Sequence, residues 1–125
     1  MKNILLIEDD PFLVDIYTTK LKGSDFNIDV ATDGEQGLRK LSEKKFDLLI
    51  LDIVLPQIDG WEILEKIKAL SFSLKHLEGL KIVILSNLGQ KEEVEKGMEM
   101  GATKYLTKAH FTPSEVVEEI TKILK

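Results

Sequence analysis

Apolar runs of four to six residues recur along the chain, separated by segments in which apolar residues return every three or four positions. Short continuous runs fit buried strands, and returns at three and four fit one face of a helix. Five strands are expected, at about residues 3 to 7, 27 to 31, 47 to 52, 81 to 86 and 103 to 107. The runs "LLILDI" and "KIVILS" show no inside/outside alternation, as central strands buried on both faces require. The mixed "TKYLT" of residues 103 to 107 suits a sheet edge. Between the strands, Leu13, Ile16, Tyr17 and Leu21 form one helical stripe, and Ile63, Leu64 and Ile67 a second. Val116, Val117, Ile120, Ile123 and Leu124 form a third. Strands alternating with helices predict an α/β domain, a parallel sheet covered by helices on both faces.

Local signals refine this pattern. Asp10 before Pro11 reads as a helix N-cap with proline at the first helical position. In "TPSE", Thr112 caps the last helix, Pro113 starts it and Glu115 closes a capping box. Residues 90 to 100, "QKEEVEKGMEM", offer only Val94 and Met98 as an apolar face, so a weakly docked helix is expected there. The least regular stretch, "SFSLKHLEGL" at residues 71 to 80, is expected to be a long loop.

With 125 residues and 43% hydrophobic content, the chain can bury one core, so residues 1 to 125 are read as a single domain. The net charge is −5, and the 17 basic residues are dispersed among 22 acidic ones. Phosphate binding needs a concentrated basic patch, which argues against direct nucleic-acid contact. The absence of cysteine excludes disulfides, thiol catalysis and thiolate metal sites. The N-terminal "ILLI" is too short for a signal peptide or a membrane span, and a cytoplasmic protein without membrane contact is expected.

In open parallel sheets, ligands bind beyond the carboxyl ends of the strands. Those ends carry Glu8 and Asp9, then Asp52, Ser86 and Lys108. Carboxylates this close raise one another's proton affinity unless a positive partner joins them. An all-oxygen cluster of this kind suits Mg²⁺, held by a few carboxylates and retained waters, with Lys108 beside it. Taken singly, each residue is an ordinary solvated strand-end group; their joint placement on four strand ends sets them apart.

The acidic pair Glu8–Asp9, the segment "LDIVLPQIDG" with Asp52, Pro56 and Gly60, "LSN" with Ser86, and "YLTK" with Tyr105 and Lys108 occur in one order at matching spacings. In these features, and over essentially its whole length, the chain resembles the receiver domain of bacterial response regulators. The resemblance implies a doubly wound, flavodoxin-like fold with five parallel strands in the order 2-1-3-4-5. It implies that Asp52 is the phosphoacceptor and nucleophile, acting with Ser86 and Lys108. Glu8, Asp9, Asp52 and the Val54 backbone carbonyl would hold Mg²⁺, and Lys108 would pair with the phosphate. Ser86 would be the switch hydroxyl and Tyr105 the switch aromatic. The implied partners are a sensor histidine kinase or histidine phosphotransfer protein, and a downstream protein or fused output domain. Homodimerisation through the fourth helix, fifth strand and fifth helix would also be in keeping. Such a protein catalyses its own phosphorylation and dephosphorylation and does not turn over a metabolite.

Two positions depart from that family. Asn87 follows the switch hydroxyl where a small residue is usual, and Ala109 follows Lys108 where proline, often cis, is usual. A cis bond to a non-proline residue costs roughly 2.5–4 kcal/mol, so the loop is either trans and shaped differently or cis and strained. Val54 and Leu88, two residues after Asp52 and Ser86, would either form an apolar rim that slows attack by water or pack against the loops.

Three other classes share parts of this pattern. A flavodoxin-like electron carrier would need a Ser/Thr/Gly-rich phosphate cradle after the first strand, where this chain has acids. A haloacid-dehalogenase-like phosphatase would need a second Asp two positions after the first, where Val54 stands. A receiver-like interaction module working without phosphorylation remains the alternative.

Overall fold

The computed structural model describes residues 1–125 and joins five strands in one parallel sheet. The strands are β1 (Asn3–Ile7), β2 (Asn27–Ala31), β3 (Leu48–Leu51), β4 (Lys81–Ser86) and β5 (Lys104–Thr107). Their spatial order is β2-β1-β3-β4-β5, with every adjacent pair parallel. The helices are α1 (Pro11–Lys22), α2 (Gly34–Glu43), α3 (Gly60–Leu70), α4 (Lys91–Glu99) and α5 (Pro113–Leu124). Strand order turns back beside β1, between β1 and β3, so the crevice where ligands gather lies above the carboxyl ends of those two strands.

The absence of alternation in the central strands has the expected cause. Leu5 and Ile7 of β1 join a core with Leu49 and Leu51 of β3 and Ile63, Leu64 and Ile67 of α3. Ile4 and Leu6 face the other way, into a second core with Tyr17 and Leu21 of α1 and Val116, Val117 and Ile120 of α5. A strand buried on both sides has no polar face to display. The caps also form: Asp10 accepts from the Phe12 and Leu13 amides, and Thr112 and Glu115 exchange bonds at 3.2 and 2.9 Å.

Three details differ from the sequence reading. First, α2 carries no apolar stripe of the kind that marks α1, α3 and α5; its buried residues are Gly34, Gly37 and Leu41. The Ile7 side chain fills the space where a Cβ on Gly37 would stand, with its Cδ1 only 2.3 Å from that point. The helix docks by laying Gly37 against Ile7 and burying Leu41, with Leu38 packed on the same core. Second, α4 buries Gly97, while Met98 is 44% exposed and Val94 half-buried, so the expected Val94–Met98 face is not what seats it. Third, the stretch 71–80 is the expected loop, but an anchored one: a single 3₁₀ turn at Lys75–Leu77 buries Leu77, Leu74 and Leu80 pack on the same core, and His76 Nε2 lies 2.7 Å from the Leu41 carbonyl oxygen.

Candidate functional site

The strand ends bring the predicted residues together. Chain leaving β1 turns at once into α1, and the Glu8 side chain stays under that turn, only 2% exposed. Its Oε2 accepts the backbone amides of Asp9 and Asp10 at 3.0 and 3.3 Å. Its Oε1 receives the Lys108 ammonium at 2.6 Å. Asp52, 6% exposed at the end of β3, accepts from Lys108 at 3.0 Å through Oδ2 and from the Val54 amide at 3.2 Å through Oδ1. Asp9 is the solvent-facing member. One carboxylate oxygen from each of Glu8, Asp9 and Asp52 lies within 4.8 Å of the others.

These positions set the electrostatics. Burial pushes the Glu8 carboxyl up to about 7, with the Asp52 charge adding to the rise and the Lys108 contacts opposing it. For Lys108, burial works against the charge, but the Glu8 hydrogen bond and the two carboxylates outweigh it and hold its pKa above the ordinary lysine value. Lys108 therefore remains an ammonium at neutral pH. Three acids facing one fixed cation leave an excess of hard oxygen donors, which fits a divalent cation such as Mg²⁺.

Glycine has a specific task beside Asp52. A Cβ on Gly60 would stand 2.6 Å from the Ile53 Cα and 2.7 Å from the Asp52 carbonyl oxygen, both main-chain atoms that cannot turn aside. Gly60 thus lets α3 begin directly against the strand end that carries the acid. Asp59 caps that helix by accepting the Glu62 amide at 3.0 Å.

On the β4 side, Ser86 is fully buried and its Oγ accepts the Leu88 amide at 3.2 Å. The Tyr105 hydroxyl donates to the Leu88 carbonyl, and burial raises its pKa. One residue, Leu88, therefore ties both groups through its main chain. The sequence offers no signal for that, because the ties are made by backbone atoms. The Leu88 side chain packs on the core, whereas Val54 is 58% exposed, so of the two apolar positions only Val54 stands free at the surface. Asn87 is exposed. All peptide bonds are trans, so Lys108–Ala109 adopts the trans alternative and opens a 3₁₀ turn at Lys108–His110. Tyr17, read from the sequence as part of the α1 core stripe, is buried and also within reach of the charges of Lys108, Glu8 and Asp52.

This geometry agrees with the comparisons to known proteins. A family model described as response regulator receiver domain matches residues 4–121. The chain is 34% identical over 122 residues to the probable transcriptional regulator ycf29 of Porphyra purpurea, covering 98% of this chain and 56% of that protein. It is 33% identical over 126 residues to the alkaline phosphatase synthesis transcriptional regulatory protein PhoP of Bacillus subtilis, covering 99% and 49%. Among solved structures, it superposes with a TM-score of 0.80 and 29% identity on the response regulator TrrA of Thermotoga maritima in complex with Mg²⁺-BeF, covering 98% of each chain. The chain belongs to the response regulator receiver domain family, whose members serve as phosphoacceptors in two-component signalling and bind Mg²⁺ at an acidic pocket. It spans about half the length of the two transcriptional regulators it matches. No helix is long and apolar enough to cross a membrane.

Proposed function

We propose that the chain takes a phosphoryl group onto Asp52 from a phosphohistidine of a sensor kinase or histidine phosphotransfer protein. The observation that carries this reading is the buried Asp52 carboxylate, paired to Lys108 at 3.0 Å and grouped with Glu8 and Asp9. An Asp52 oxygen attacks phosphorus, the phosphorus–nitrogen bond of the donor breaks, and the imidazole keeps that electron pair, leaving an acyl phosphate. Phosphoryl transfer asks the protein chiefly to position groups and to neutralise the equatorial oxygens. Lys108, already held between two carboxylates, has one cation to offer an incoming phosphoryl oxygen. Glu8, Asp9, Asp52 and the Val54 carbonyl would hold Mg²⁺, which when bound supplies the remaining neutralisation.

Signal output follows from the ties at Leu88. The Ser86 hydroxyl, which accepts from the Leu88 amide, would turn to donate to new phosphoryl oxygens. That turn loosens one of the two ties on Leu88 and leaves the Tyr105 tie to readjust. The surface that responds comprises α4 and β5. It would address a downstream protein, a fused output domain, or a second copy through α4, β5 and α5. The chain would work in the cytoplasm and catalyse its own phosphorylation and dephosphorylation.

Intact-mass measurement tests the assignment. After incubation with Mg²⁺ and a phosphodonor, wild type gains one phosphoryl group and Asp52→Asn gains none. Unaltered labelling of the Asn variant would overturn the site, as would no labelling of wild type by a small donor and by a phosphohistidine donor alike.

A further inference from the structure

We infer that Gly97 is a positioning residue for Tyr105: its missing side chain lets α4 seat on the sheet while the Tyr105 ring lies inward, and a side chain there sets helix against ring. The meaning of this for signalling rests on the receiver function proposed above; the steric coupling itself does not.

A Cβ on Gly97 would stand 2.7 Å from Ile84 Cδ1, 2.8 Å from Tyr105 Cδ2 and 3.1 Å from Tyr105 Cε2. Ile84 and Tyr105 are register partners on β4 and β5, so Gly97 sits across the seam between two neighbouring strands. The two contacts are unequal. Ile84 Cδ1 is the end of a flexible side chain and can turn away. The Tyr105 ring is held at its far end by the hydroxyl bond to the Leu88 carbonyl, so moving the ring edge away from position 97 strains or breaks that bond.

Gly97 is the helix's single buried residue, and its neighbours in sequence are Lys96 and the exposed Met98. Glycine also opposes helix formation relative to alanine, so within the last turn of a short polar helix its use lies in close approach. The sheet, the ring and the helix thus share one small volume, and only with glycine at 97 can all three occupy their positions.

The test uses the full unphosphorylated chain, so that its outcome is independent of whether Asp52 is ever labelled. Trp61 is the one tryptophan, and the Lys96 ammonium lies 4.4 Å from its ring centroid, so Trp61 emission reports where α4 sits. Urea unfolding and Trp61 emission are compared in wild type, Gly97→Ala, Tyr105→Ala and the double variant. In the wild-type background Gly97→Ala should lower the urea midpoint and shift Trp61 emission. In the Tyr105→Ala background the same substitution should leave emission unmoved and keep or raise the midpoint, because alanine is the better helix former once the ring is gone. If Gly97→Ala alone does not fold, recovery of folding in the double variant carries the same conclusion. Equal effects in both backgrounds, a Gly97→Ala chain at least as stable as wild type with unshifted emission, or a double variant that also fails to fold would each overturn the inference.

Discussion

Helices α4 and α5 flank the same edge strand and are held to it by opposite means. α5 presents Val116, Val117 and Ile120 to the core and closes its first turn with a reciprocal Thr112–Glu115 box. α4 presents a glycine, and its remaining side chains are mostly Lys and Glu turned to solvent. A helix held by buried volume loses stability when volume is removed. A helix held by close approach loses it when volume is added, and it has little else to keep it in place. The same sheet edge therefore carries one deeply packed helix and one that buries a single residue, and the less buried element is the one expected to open locally first.

The largest expected effect of that contrast comes from truncation. Ile120→Ala should lower unfolding free energy by about 2–5 kcal/mol, because Ile120 is fully buried and packed surroundings relax only partly into the space left. Val94→Ala in α4 should change it by less than ~1 kcal/mol, since Val94 is only half-buried. Urea titrations of the two variants measure both. Equal losses would mean that α4 is as deeply seated as α5 and would break the contrast.

What could be read in the chain follows the same division. Elements that bury volume announce themselves: the five strands and the stripes of α1, α3 and α5 are all visible as apolar residues at fixed periods. Close approach does not: α2 shows only Leu38 and Leu41 as an apolar signal, and Gly37 and Gly97, which let α2 and α4 come close to the sheet, add nothing to a hydrophobic pattern. Stretch 71–80 did carry its signal, Leu74, Leu77 and Leu80 at a spacing of three, but Ser71 and Ser73 before them and Lys75, His76, Glu78 and Gly79 between them outweighed it. The carboxylates and Lys108 were legible because strand ends are where parallel sheets gather chemistry. The double tie at Leu88 was not, because backbone amides and carbonyls are the same at every residue.

Metal binding sharpens the contrast between the helices. A ligand that binds only the folded chain, present at about 100 times its dissociation constant, adds ~2.7 kcal/mol of stability. Amides that exchange hydrogen only on global unfolding should then slow by about 100-fold on adding Mg²⁺, and those of α5 should behave so. Amides of α4, exchanging through local opening, should slow far less. Asp9→Asn should shrink the α5 effect by weakening the metal site. Equal slowing in both helices would show that α4 opens only with the whole domain.

The smallest expected effect is electrostatic and again separates the two helices. Glu119 of α5 bonds Lys104 of β5 at 3.1 Å and also faces Lys122 at 3.6 Å. The hydrogen bond to Lys104, with the charges of Lys104 and Lys122, holds the Glu119 carboxyl below its ordinary value of 4.5. A carboxyl whose pKa is lower folded than unfolded contributes stability fully above the unfolded value and loses it as pH falls through the folded one. The contribution should therefore be present at neutral pH and fade below about 4.5, and Glu119→Gln should flatten the fall of unfolding free energy in that acid range. On α4, the Lys91–Glu95 pair stands at 3.9 Å between two exposed side chains and joins the helix only to itself. Lys91→Met should leave the acid slope as it is in wild type, because an exposed pair at that distance is screened by solvent. Urea midpoints taken at intervals from neutral to acid pH decide between them. A slope altered more by Lys91→Met than by Glu119→Gln would place the stronger electrostatic tie on the helix that the packing leaves loose.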